Sequence, residues 1–201
     1  VTGVQTGALP ISLLVDAIST LTVQGGAGSP TAMVSVGDQT ITAADILVVG
    51  GTGGSSASAA IKMTGTAGTQ DITVSNGITM TGGANGGGVG AGNYAAIISN
   101  GNQSITVGNG GLTLTAGGGT GVDTGNAAIL EHNGGAGTTQ SITVNGTGSI
   151  VATGGSSSLT GMSEQDASRA TILSDNGDSQ TITFTGGGAG RAITLTGGTN
   201  G

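Results

Sequence analysis

The chain has 201 residues, 45 of them Gly, and sets 3 Lys+Arg against 10 Asp+Glu for a net charge of −7. Aromatic residues are 1% of the chain and charged residues 6%, so an ordinary interior of Phe, Tyr and Trp is excluded, as are a basic patch that neutralises phosphates and an aromatic platform that stacks bases. Zero Cys excludes disulfides and thiolate metal sites, and no apolar run approaches the roughly 18 residues of a membrane span.

The first segment stands apart from the rest. Val1-Thr-Gly-Val-Gln-Thr-Gly-Ala-Leu-Pro-Ile11 resembles the translation of a common sequencing-library adapter, with Gly7 where that string carries Cys. Residues 1–12 are therefore read as a non-native, adapter-derived segment and set aside from fold reasoning. Residues 13–201 are read as a single unit, a fragment of a longer protein.

From there the chain repeats. Gln39-Thr-Ile-Thr-Ala43, Gln70-Asp-Ile-Thr-Val74, Gln103-Ser-Ile-Thr-Val107, Gln140-Ser-Ile-Thr-Val144 and Gln180-Thr-Ile-Thr-Phe184 share one form, their glutamines 31, 33, 37 and 40 residues apart. A period of this length signals a stacked array. Each copy predicts three short strands. The first is the Gln-x-Ile-Thr-Val run. After a turn rich in Gly and Asn comes the second, at 21–23, 46–48, 78–80, 112–114, 150–152 and 193–195. A Gly-rich corner and a loop of variable length follow (82–93, 117–126 and 154–169 in the longer copies). The third strand is small residues and then branched ones: Ala59-Ala-Ile-Lys-Met63, Ala95-Ala-Ile-Ile98, Ala127-Ala-Ile-Leu130, Ala170-Thr-Ile-Leu173, and Ala32-Met-Val-Ser-Val36 in the first copy. Within the last loop, Ser163 with Asp166 three residues later fits a capping box and one short helical turn.

Side chains alternate along a strand. Ile41, Ile72, Ile105, Ile142 and Ile182 then face one way, and Thr42, Thr73, Thr106, Thr143 and Thr183 the other. Stacking of equivalent strands makes the isoleucines an internal ladder and the threonines external rows. Gln39, Gln70, Gln103, Gln140 and Gln180 share parity with the isoleucines, so they turn inward at a corner, where stacked amides hydrogen-bond one another. In the third strand, inward Ile97, Ile129 and Ile172 would leave Ile98, Leu130 and Leu173 as an outward apolar row beside Lys62.

Chemistry is sparse. His132 is the only His, and with Glu131 it is expected in a solvated corner. The carboxylates Asp16, Asp38, Asp45, Asp71, Asp123, Glu131, Glu164, Asp166, Asp175 and Asp178 are scattered one or two per copy. Glycoside or polysaccharide chemistry needs clustered carboxylates with a cation nearby, and Lys62, Arg169 and Arg191 fall in different copies. Asp175, Asn176 and Asp178 read as an Asx turn. The sequence thus points to no catalytic residue, no cofactor and no metal. The paired threonines Thr79/Thr81, Thr113/Thr115 and Thr194/Thr196 resemble the T-x-T rows of ice-binding β-solenoids, a pattern interrupted at Leu47, Val49 and Val151.

The Gln-Ser-Ile-Thr-Val, Leu-Thr-Leu-Thr and Ala-Ala-Ile-Leu copies are similar to the strand repeats of filamentous-haemagglutinin-like adhesins and autotransporter passengers, over about residues 13–201. That resemblance implies a right-handed parallel β-helix, a three-sided β-solenoid of about five to six coils with no globular core. It also implies a non-catalytic shaft or surface-presenting segment of a large secreted bacterial exoprotein, extracellular or at the cell surface. Expected partners are a host surface or glycan ligand of the intact protein and other copies of the chain, end to end. Nucleic acid and a membrane span are excluded. The alternatives are a β-helical polysaccharide-active enzyme fragment and an ice-binding β-solenoid.

Overall fold

Alternating Ile and Thr with few charges can bury one strand face and solvate the other, and the same alternation in every copy lets identical faces stack. The computed structural model describes residues 12–17, 19–53, 57–84, 92–119, 125–156 and 168–198. Its strands are β1 (Leu13–Asp16), β2 (Thr20–Gln24), β3 (Thr31–Ser35), β4 (Gln39–Val49), β5 (Ala59–Met63), β6 (Thr69–Thr81), β7 (Ala95–Ser99), β8 (Asn102–Val107), β9 (Gly111–Thr115), β10 (Ala128–His132), β11 (Thr139–Asn145), β12 (Ile150–Thr153), β13 (Ala170–Ser174), β14 (Ser179–Thr185) and β15 (Ile193–Thr196). Residues 1–11 of the segment proposed as non-native (1–12), and the proposed helical turn (163–166), lie outside the described residues.

Two sheets result, and every strand pairing among the described residues is parallel. A 10-stranded, strongly curled sheet contains the first and second strands of the copies, and a 5-stranded sheet, in the order β13-β10-β7-β5-β3, contains the third. This is a β-solenoid-like arrangement, with each strand pairing to its equivalent in the neighbouring copy. The first and second strands are expected to be separate, but in β4 and β6 they are continuous over 11 and 13 residues. The corner there is short, and a register irregularity between Ala43 and Asp45 absorbs the bend. Where Gly- and Asn-rich residues lengthen the corner, as between β8 and β9, the strands part.

Register partners run Val15, Ile41, Ile72, Ile105, Ile142 and Ile182 through the curled sheet. A second column runs Leu21, Ile46, Ile78, Leu112, Ile150 and Ile193. Both face the third strands, and residues from all three strand types form one continuous apolar interior. Each fully buried aliphatic side chain contributes about 1.5–3 kcal/mol of transfer free energy.

The third-strand frame differs from expectation by one residue in two copies; in the first, Thr31 and not Ala32 pairs with Ala59. Ala128, not Ala127, pairs with Ala95, so Leu130 aligns with Ile97 and Ile172 and points inward. Ile129 is half-buried on the outer face. The outward row is therefore Val34, Lys62, Ile98, Glu131 and Leu173, with charges at two levels instead of a continuous apolar strip. The frame is set upstream. Asn93 and Asn126 each lie two residues before the paired alanines, and the Asn93 N–H donates to Asn126 Oδ1 at 3.2 Å.

Candidate functional site

The corner where the third strand gives way to the first concentrates polar chemistry. Gln39, Gln70, Gln103 and Gln140 are at most 1% exposed, and Gln180, in the last copy, is exposed. Their amides form a chain: Gln70 Nε2 donates to Gln39 Oε1, Gln103 to Gln70, Gln140 to Gln103 and Gln180 to Gln140, at 2.5–2.7 Å. The same nitrogens of Gln39, Gln70, Gln103 and Gln140 also donate across the interior to the carbonyls of Lys62, Ile98, Glu131 and Leu173 at 3.2–3.4 Å. A primary amide has two N–H donors, so one bonds along the stack and the other ties the curled sheet to the five-stranded one. Leu13 occupies the glutamine position below Gln39 and ends the chain of amides.

His132 sits at the same corner, and it is not solvated. It is 0% exposed, because the register that turns Leu130 inward also turns in the side chain two residues on. Its column is Ser35, Met63, Ser99, His132 and Ser174. Nδ1 shares a hydrogen bond of 2.9 Å with Ser174 Oγ, and Nε2 is buried with no hydrogen-bond partner among the described residues. Gly134 and Gly177 close on the ring: a Cβ on Gly134 would stand 2.6 Å from Nε2, and one on Gly177 would overlap Cε1. Desolvation by burial lowers the imidazole pKa below its ordinary 6.5, opposed by the backbone carbonyl of Gly101, which favours the protonated ring.

A second polar corner lies where the variable loops return. Asn93 and Asn126 are fully buried. Asn93 Oδ1 accepts from the Ala57 N–H at 2.8 Å, Asn93 Nδ2 donates to the Ala84 carbonyl at 2.9 Å, and Asn126 Nδ2 donates to the Gly118 carbonyl at 3.0 Å. Backbone bonds Gly51 to Ala57, Gly83 to Asn93, Gly117 to Asn126 and Gly155 to Ser168, at 2.5–2.8 Å, pinch each loop at its base. The recurring Asn-x-Ala before the third strand was the signal for this site in the sequence. It passes unnoticed beside the more frequent Gln-x-Ile.

The outer faces carry hydroxyls. Thr42, Thr73, Thr106, Thr143 and Thr183 are register partners; Thr106 and Thr143 are half-buried and the other three exposed. On the second strands Thr81, Thr115, Thr153 and Thr196 align without a break, while Val151 interrupts the column Thr79, Thr113, Thr194. Three of the described carboxylates serve turns: Asp38 Oδ1 accepts from the Thr69 N–H, Asp45 Oδ1 from Asn76 Nδ2, and Asp178 Oδ2 from the Gly137 N–H. Asn176, at φ 61°, makes the turn between Asp175 and Asp178. Among the described residues no three His, Asp or Glu side chains group as a metal site, and no helix is long and apolar enough to cross a membrane.

No protein-family model, curated protein or solved structure matches the chain.

Proposed function

We propose that the chain is a structural segment: a right-handed, three-sided β-solenoid of about five to six turns that acts as a shaft or presenting surface in a large secreted exoprotein, extracellular or at a cell surface, without catalysis of its own. One observation carries this reading. The buried amides from Gln39 to Gln140 bond to one another and to the facing sheet, so the chain's most concentrated polar chemistry is engaged in holding successive copies together. The right hand follows from the chirality of parallel crossovers, which holds in about 98% of cases. A ligand of the intact protein, a host surface or glycan, would meet the variable loops, whose pinched bases let them change without disturbing the strands. The test is glycan-array and cell-binding measurement on the purified chain. No binding fits a shaft; binding that follows loop exchange reassigns the segment to adhesion; turnover of pectin-like polymers overturns the non-catalytic reading.

A second reading rests on the outer face of the second strands. Thr81, Thr115, Thr153 and Thr196 repeat at the strand spacing of about 4.8 Å, and Thr79, Thr113 and Thr194 stand about 6.7 Å from Thr81, Thr115 and Thr196 along their strands, with Val151 in that place beside Thr153. A repeating hydroxyl lattice of this kind fits an ordered water surface. Thermal hysteresis that disappears in Thr113→Lys/Thr115→Lys supports ice binding, and its absence in the parent chain removes it.

A further inference from the structure

Six Asn-Gly pairs fall among the described residues, three at each of two corners of the stack. Asn76-Gly77, Asn109-Gly110 and Asn145-Gly146 lie between first and second strands; Asn100-Gly101, Asn133-Gly134 and Asn176-Gly177 lie between third and first strands. Asparagine is a thermolabile residue, and ahead of glycine, which has no side chain to hinder attack, it converts itself. The glycine nitrogen gives its proton to hydroxide and bonds to the asparagine Cγ. The Cγ–Nδ2 bond breaks, and that nitrogen leaves as ammonia. The resulting succinimide ring takes up water. Opening at Cγ leaves aspartate, and opening at the main-chain carbonyl leaves isoaspartate, with one extra carbon in the backbone.

The attack needs a glycine N–H free of other partners and a side-chain amide free to turn. The fold withholds these at most of the pairs. The Gly110 N–H donates to the Asn76 carbonyl and the Gly146 N–H to the Thr185 carbonyl, each at 3.0 Å. Asn109 Oδ1 accepts from the Thr147 N–H, and Asn145 Oδ1 from Thr185 Oγ1. Asp45 Oδ1 accepts from both Asn76 Nδ2 and the Gly77 N–H, at 2.8 and 3.3 Å. The Gly101 N–H donates to Ser99 Oγ at 3.3 Å, and Asn100 Nδ2 to the Thr64 carbonyl at 3.2 Å. The Gly134 N–H is unpaired, but Gly134 is buried, and a Cβ there would overlap Thr138 Oγ1, so its backbone has no room to swing. Asn176-Gly177 is the exception. Asn176 is exposed and makes one long side-chain bond, from Nδ2 to Asn133 Oδ1 at 3.5 Å. Its Oδ1 and the Gly177 N–H have no hydrogen-bond partner among the described residues.

We propose that Asn176 is the site at which the folded chain deamidates first among these six, and that its conversion loosens the corner enclosing His132. Gly177 closes that corner: a Cβ on it would overlap His132 Cε1. Nearby, the Asp175 N–H donates to the His132 carbonyl at 2.7 Å. Isoaspartate at 176 lengthens the backbone immediately before Gly177. Either product also sets a third carboxylate between Asp175 and Asp178. The longer chain and the repulsion among three neighbouring carboxylates both act to lift Gly177 from the ring.

Peptide mapping by mass spectrometry tests this on the folded chain aged in mildly alkaline buffer, with the same chain aged in urea as the reference. In the folded chain Asn176 is expected to convert first; a single hydrogen bond that must break beforehand slows attack by about 2- to 10-fold. In urea the six sites should converge. Any of the other five converting as fast as Asn176 in the folded chain overturns the proposal. So does an Asn176 that stays intact when folded but converts in urea, or a lead that survives in urea and so belongs to the neighbouring sequence. The loosening has its own readout. His132 is the chain's only His, so acylation by diethyl pyrocarbonate reports its exposure. Aged parent should react faster than fresh protein. Aged Asn176→Gly, which keeps the positive φ of this turn and has no side-chain amide, should not. A His132 equally protected before and after Asn176 has converted overturns the second part, as does the same gain of reactivity in aged Asn176→Gly.

Discussion

At the scale of single residues, the buried amides should have the largest individual effects. Gln103→Ala removes the acceptor for Gln140 and the donor to Gln70 and to the Glu131 carbonyl. Unpaired buried polar groups cost about 1–3 kcal/mol each, so a loss of roughly 3 kcal/mol in urea unfolding is expected. Gln180→Ala, at the solvent-exposed end of the chain of amides, should cost under about 1 kcal/mol. Equal effects at the two positions would argue against burial as the cause. His132 makes a different prediction. Its neutral form is favoured in the folded state, so the unfolded chain binds more protons as pH falls. Its contribution to stability is complete above pH 6.5 and is lost as pH drops below that value toward the lowered folded pKa. His132→Met, which places at this level the residue type found at Met63 in the same column, should flatten the stability profile in that window. A slope that survives the substitution assigns it to another group.

At the scale of elements, the corners decide more than the strands do. The strand patterns are nearly interchangeable, but the glycine pairs at the loop bases are not. A Cβ on Gly83 would overlap the Gly51 carbonyl oxygen and stand 2.7 Å from Asn93 Cβ, whereas one on Gly187 meets nothing within 4 Å. Gly83→Ala should therefore destabilise by more than about 2 kcal/mol, and Gly187→Ala by less than about 0.5; equal melting shifts would contradict the close approach seen here. The strand pattern was largely legible in the sequence because period-two alternation is a local property. The third-strand frame was not. Ala127-Ala-Ile-Leu fits two registers equally well, and the choice rests on Asn126 reaching across the stack to Asn93, a contact between residues 33 positions apart.

At the scale of the whole molecule, the stack behaves as a one-dimensional array in which each copy touches only its neighbours. Burial is deepest from β5 to β12 and falls away in β13, β14 and β15, where no described residue of those strands is fully buried. Amide hydrogen exchange should follow this gradient under conditions that keep the chain monomeric. Residues 179–196 should exchange fastest among the strands, and 61–107 slowest. Uniform protection along the stack would mean that the copies open as one cooperative unit.

The architecture class was legible in the amino-acid sequence, because alternation and a recurring period need only neighbouring residues to be read. The sequence identified Gln39, Gln70, Gln103, Gln140 and Gln180 as one set, and parity with the isoleucines assigned them a side. Tertiary structure alone decided that each inner amide also bonds the opposite sheet, that two first strands run straight into their second strands, and that His132 is enclosed. A side chain's burial at a corner depends on which strand arrives from the other direction. That depends on register between distant segments, which local pattern does not encode.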